Sequence, residues 1–253
     1  MVEWSKLWLI SFNGDKCKML HLGKNKPKYN YTINDGINEV TLQETFCEKD
    51  LGVHIDPDLN FREHILITIK KARKISGMIL RNMTFKGSSI MCPLYKALIR
   101  PILEYANSVW SPYIKEGIDN LERVQRNFTK RIYGLSGLSY EDRLRTLHLP
   151  SLEYRRLRGD LIEVYKVLHK VYDPLTTNNL FVQNTNSTRT NQFKLDKCRM
   201  NYKPFQSFFT DRIINTWNKL PYTVVSAEDL NTFKNRVDSH LDDLKFETRL
   251  EYV

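Results

Sequence analysis

Residues 94–135 read LYKALIRPILEYANSVWSPYIKEGIDNLERVQRNFTKRIYGL. Apolar side chains recur three and four apart with basic residues between them, the period of amphipathic helices. The spacing predicts one helix from about Ser88 with Leu94, Leu98, Ile102 and Tyr105 inward, kinked or split at Pro101, whose ring removes a backbone donor. It predicts a second over 115–133 that buries Ile118, Leu121, Phe128 and Ile132. Arg123, Arg126, Lys130 and Arg131 then lie mainly elsewhere on that helix. Charge marks the same region: residues 60–170 hold 21 Lys and Arg against 10 Asp and Glu, while both flanks are nearly balanced. An excess of cations with no matching acidic face fits a polyanion such as nucleic acid, and a solvated Lys/Arg surface is the plain alternative.

Upstream, Phe61, Ile65, Ile69, Ala72 and Ile75 form one helical stripe, flanked by Lys70, Lys71, Arg73 and Lys74. Downstream, Ser139 with Asp142 reads as a capping pair. Ser151 caps a longer helix with Leu157, Leu161, Val164 and Leu168 inward. Arg155, Arg156 and Arg158 cluster near its start, and Arg156 is placed to pair with Asp160 one turn on. Residues 173–203 lose the period and read as a loop or linker. Two helices follow, one with Phe205, Phe209, Ile213 and Trp217, the other capped by Ser226 or Asp229 with Leu230, Phe233, Val237 and Leu241 inward.

Residues 1–59 read differently, as a short helix (Trp4, Leu7 and Trp8 on one face) followed by alternating strands. Asp35-Gly36 between NYTIN and INEVTL is a hairpin signal, and LGVHI (51–55) alternates again. So small a sheet needs a further surface to pack on. No apolar run reaches a membrane span, the start lacks a signal-peptide core, and Cys17, Cys47, Cys92 and Cys198 form no CxxC pair. These features predict an intracellular protein, nuclear or cytoplasmic, without secretion or membrane insertion. No phosphate loop or metal-protease motif occurs, and Asp242-Asp243 reads as a solvated helix face.

Seven stretches in order carry a resemblance: Trp4 to Lys18 (W-x3-W-x3-FN-x2-KCK), KDLGVHID (49–56), LYKALIRPILEYANSVWSPY (94–113), LERVQRNFTKRIYGL (121–135), LPSLEYRRLRGDLIEVYK (149–166), FFTDRIINTWNKLP (208–221) and Phe233-Lys234. Together they resemble the C-terminal part of a non-LTR retrotransposon (LINE-type, jockey-like) reverse transcriptase. The resemblance implies that Lys16 assists near a departing pyrophosphate, as an ammonium there would neutralise developing charge. It implies a primer-gripping hairpin around Leu51, Gly52 and Val53, where glycine allows close backbone approach. The helices after residue 60 become the thumb that tracks a template–primer duplex.

The expected fold is therefore α+β and mostly α: a small antiparallel palm-remnant sheet (1–59), a basic helical thumb-like domain (60–172), a linker (173–203) and a C-terminal helical segment (204–253). The expected partner is an RNA–DNA or DNA duplex, held by Lys70, Lys71, Arg73, Lys74, Arg123, Arg126, Lys130, Arg131, Arg155 and Arg158. The family's catalytic aspartates should precede Trp4, together with the remaining palm and fingers of the same polyprotein. This chain alone is then expected to be inactive in polymerisation and to carry no cofactor, with Mg²⁺ belonging to the intact polymerase. The rival reading is a stand-alone helical module, derived from such an element, that binds nucleic acid or protein.

Overall fold

The computed structural model describes residues 2–10, 12–23, 29–34, 39–184, 193–197, 207–248 and 250. The chain is α+β and mostly helical. It divides into two units between His64 and Ile65.

In the first unit, α1 (Val2–Leu7) precedes six three-residue strands: β1 (Lys18–Leu20), β2 (Thr32–Asn34), β3 (Glu39–Thr41), β4 (Gln43–Thr45), β5 (Glu48–Asp50) and β6 (Val53–Ile55). They form two-stranded pairs. β2–β3 and β5–β6 are antiparallel, whereas β1 and β4 run parallel with Met19 opposite Glu44. The β2–β3 hairpin is the one expected, although its Asp35-Gly36 turn lies outside the described residues. Asp56 organises the exit. Its carboxylate accepts from the backbone N–H of Asp58, Asn60 and Phe61, which turns the chain into the next helix.

That helix, α2 (Arg62–Asn82), buries Ile65, Ile69, Ala72 and Ile79 and leaves its cations outside, as the stripe predicts. The following segment corrects the inward residues. α3 (Ser88–Leu94), a π-helical turn (Tyr95–Ile99) and α4 (Arg100–Glu104) bury Met91, Tyr95, Ile99 and Leu103. Leu98 and Tyr105, expected inside, are exposed. The physical cause is Pro101. It cannot donate to residue 97 and its ring crowds that carbonyl, so the turn before it widens. The wide turn also keeps a strict four-residue repeat on one face, which 3.6 residues per turn would rotate away.

α5 (Asn107–Trp110) and α6 (Lys115–Thr129) follow, and α6 buries Leu121, Val124 and Phe128. α7 (Tyr140–Leu147) and α8 (Leu152–Leu168) carry the expected caps: Ser139 accepts from Asp142 N–H at 3.2 Å and Ser151 from Tyr154 N–H at 3.1 Å. The expected linker is structured in part. It contains α9 (Pro174–Thr177) and a short antiparallel pair, β7 (Val182–Gln183) with β8 (Leu195–Asp196). Asn218 brackets Leu195, accepting from its N–H at 2.9 Å and donating to its carbonyl at 2.8 Å. Sequence periodicity is blind to such a graft, because two buried residues, Phe181 and Leu195, suffice to hold it.

The C-terminal helices α10 (Phe209–Arg212), α11 (Ile214–Lys219), α12 (Tyr222–Val225) and α13 (Leu230–His240) share one core with α8. Asp229 caps α13, while Ser226 closes α12. Tyr165, Phe233 and Trp217 form an aromatic stack in that core. Residues from 65 to 172 and from 207 onward belong to one unit, and α8 shares its core with the C-terminal helices. Among the described residues no helix is long and apolar enough to cross a membrane.

Candidate nucleic-acid interface

α2 and the end of α6 enclose a groove of about 630 Å³. Arg73 lines one wall, Lys130 and Arg131 the other, with Ser76, Asn127 and Ser136 as neutral donors. Among the described residues no carboxylate lines it. Its hydroxyls, amide and guanidinium groups are the donors that phosphate oxygens require.

The ten cations expected to bind nucleic acid separate into groups. Lys70, Lys74 and Lys71 are all exposed on α2, standing roughly 60°, 100° and 160° round the helix from Arg73 at about 100° per residue. Arg123 and Arg126 lie across α6 in a second hollow of about 510 Å³, where Asp119, Glu141 and Glu247 offset them and Arg145. The Arg126 guanidinium also stacks on the Tyr140 ring, 4.8 Å from its centroid.

Arg155 and Arg158 are taken up by the fold. Arg155 forks onto Glu104, with Nη2 to Oε2 at 2.7 Å and Nε to Oε1. Arg158 forks likewise onto Asp238, with Nη2 to Oδ2 at 2.7 Å, and the Tyr154 hydroxyl donates to the same carboxylate. These are ties from α8 to α4 and α13. Asp160 makes its direct ion pair with Arg212, at 2.8 Å, while Arg156 acts on the same carboxylate through its charge alone. Arg156 is buried with Nη2 lacking a hydrogen-bond partner among the described residues, beside Glu122 and Glu153. Helical spacing shows which residues share a face, but a partner eighty residues away leaves no trace in it.

In the first unit, Lys16 ends a 3₁₀ turn (Gly14–Lys16) whose backbone is held by the Asn13 side chain at 3.1 Å. Gly14 is buried so close to Val40 that a Cβ would meet it at 2.8 Å. Lys16 itself is exposed. Leu51 and Gly52 form the two-residue turn between β5 and β6, with φ of 42° and 89°, and Val53 points into the unit. The alternation of LGVHI predicts Leu51 inside a strand, whereas β5 ends at Asp50 and β6 starts at Val53. Positive φ at both turn residues matches the right-handed strand twist, so the chain turns there despite the leucine.

A polymerase-type metal pair needs several converging carboxylates. Among the described residues no three His, Cys, Asp or Glu side chains converge as metal ligands.

Comparison with known proteins gives two relatives. The chain is 29% identical over 126 residues to an uncharacterized protein of Caenorhabditis elegans, covering 49% of this chain and 64% of the relative. It is 26% identical over 180 residues to the RNA-directed DNA polymerase from mobile element jockey of Drosophila funebris, covering 68% of this chain and 18% of that protein. The chain thus spans less than two thirds of either relative's length. The second similarity supports an origin related to retrotransposon reverse transcriptases. No family model and no solved structure matches the chain.

Proposed function

We propose that the second unit holds nucleic acid by its sugar-phosphate backbone, as the duplex-gripping part of a reverse-transcriptase-related polypeptide. The observation that carries this reading is the groove between α2 and α6, cationic on both walls and lined by no carboxylate among the described residues. Arg73, Lys130 and Arg131 are its anchors, and Lys70 and Lys74 extend the field along α2. Such contacts position a duplex and carry no base information, so binding should be indifferent to sequence. In the first unit, the Leu51–Gly52 turn and Lys16 are proposed to face the primer end and the departing phosphate in the complete polymerase. In this reading the chain grips nucleic acid and does not supply the metal-binding carboxylates.

A protein-interaction role has its own support in the first unit, where Trp4, Leu7, Trp8 and Leu9 are more than half exposed. One experiment separates the two. A labelled RNA–DNA duplex is titrated with the chain, then with a variant carrying Arg73→Glu, Lys130→Glu and Arg131→Glu. The grip predicts binding to unrelated sequences alike, and a loss of more than tenfold in the variant. Equal affinity in the two proteins removes the groove from the account.

A further inference from the structure

Where α2 and α6 end, two aromatic rings stand exposed yet fixed. Phe85 and Tyr133 are each 57% exposed and meet edge to face, with centroids 5.7 Å apart and planes at 73°. Exposed rings are ordinarily loose. Here the Tyr133 hydroxyl donates to the Thr84 carbonyl at 2.9 Å and its backbone N–H to the Lys86 carbonyl at 3.0 Å. The Phe85 ring rests on Gly87 so closely that a Cβ there would come within 2.3 Å of it. Gly87 has φ −70°, a value open to any residue, so the glycine makes room for the ring and not for a turn. The pair follows directly on the groove: Leu80 precedes Phe85 on one side, and Lys130, Arg131 and Ser136 bracket Tyr133 on the other.

We infer that this pair is a stacking platform for an unpaired base, so that the nucleic acid bound is a duplex continuing into a single strand. The inference rests on the groove taking a phosphate backbone, and adds what lies at its end. A cationic channel leading to a held aromatic face is the arrangement that takes single strands, because every base has a π-face and the phosphates fix only the path. Paired bases are already stacked on each other and offer no face to a ring at the side.

The test uses one short duplex in three forms: blunt, with a single-stranded thymidine tail, and with an abasic tail of equal charge. The thymidine tail should bind roughly tenfold more tightly than the abasic one. Phe85→Ala should erase that gain and leave blunt-duplex affinity unchanged. Gly87→Ala, which displaces the ring without removing it, should do the same. Phe85→Trp should keep the gain, and its added fluorescence should be quenched by the thymidine tail. Equal affinity for the thymidine and abasic tails, or a gain that survives Phe85→Ala, overturns the platform while the groove stands. Failure of all three duplex forms to bind removes the groove reading as well.

Discussion

Arg212 closes on Asp160 with two parallel hydrogen bonds, Nε to Oδ2 at 2.8 Å and Nη2 to Oδ1 at 3.0 Å, and both side chains are largely buried. The same guanidinium donates to the carbonyls of Ser207 and Ser108, so one side chain joins α10 to α8 and α5.

Removing one partner of this pair leaves a buried charge alone, whereas removing both leaves none. Arg212→Met should therefore lower unfolding stability by about 3–5 kcal/mol. The double variant Arg212→Met, Asp160→Leu should recover much of that loss. Urea unfolding of the four proteins of the cycle measures it, and additive losses would show that the ions do not act together.

Glu153 predicts a pH dependence. It is 3% exposed, and burial pushes its carboxyl up to about 7, with Glu122 and Asp119 adding and Arg156 and the Leu250 N–H opposing. The folded state thus holds a proton that the unfolded chain releases near 4.5. Stability contributed by this group is complete below the lower value and is lost as pH rises towards 7. The loss should be roughly 2–4 kcal/mol, and Glu153→Gln, which keeps an acceptor for Leu250, should flatten that part of the curve. A curve of unchanged slope in the variant assigns the effect elsewhere.

The β5–β6 turn stores strain at Leu51, a non-glycine residue at positive φ with its side chain exposed. Leu51→Asn should relax it by about 0.5–1 kcal/mol, since asparagine before glycine favours this turn. Slower hydrogen exchange at Val53 and Ile55 is the expected result, and faster exchange would mean that the leucine supports the hairpin.

What the sequence showed depends on whether neighbours in the chain decided it. Ser139, Ser151 and Asp229 were legible as caps because a cap needs only the next three residues. The α2 stripe was legible for the same reason, and so was the mostly helical α+β class. Tyr95 and Leu98 both sit on apolar rows, and only the π-helical turn before Pro101 decides which row is buried. Among the cations, Lys70 and Arg73 read the same as Arg155 and Arg158. The structure separates them through Glu104 and Asp238, which lie 51 and 80 residues away. The groove itself was foreshadowed only as a charge excess, and Phe85, Gly87 and Tyr133 carried no periodic signal at all.

The salt dependence of duplex binding tests the central claim most directly. Each phosphate contact adds about 0.9 to the slope of log affinity against log salt, so contacts from Lys70, Arg73, Lys74, Lys130 and Arg131 predict a slope of about −4 to −5. Changing Arg73, Lys130 and Arg131 to alanine should bring it to about −2. A slope near zero, or one that the triple variant leaves unchanged, would contradict a phosphate-gripping groove.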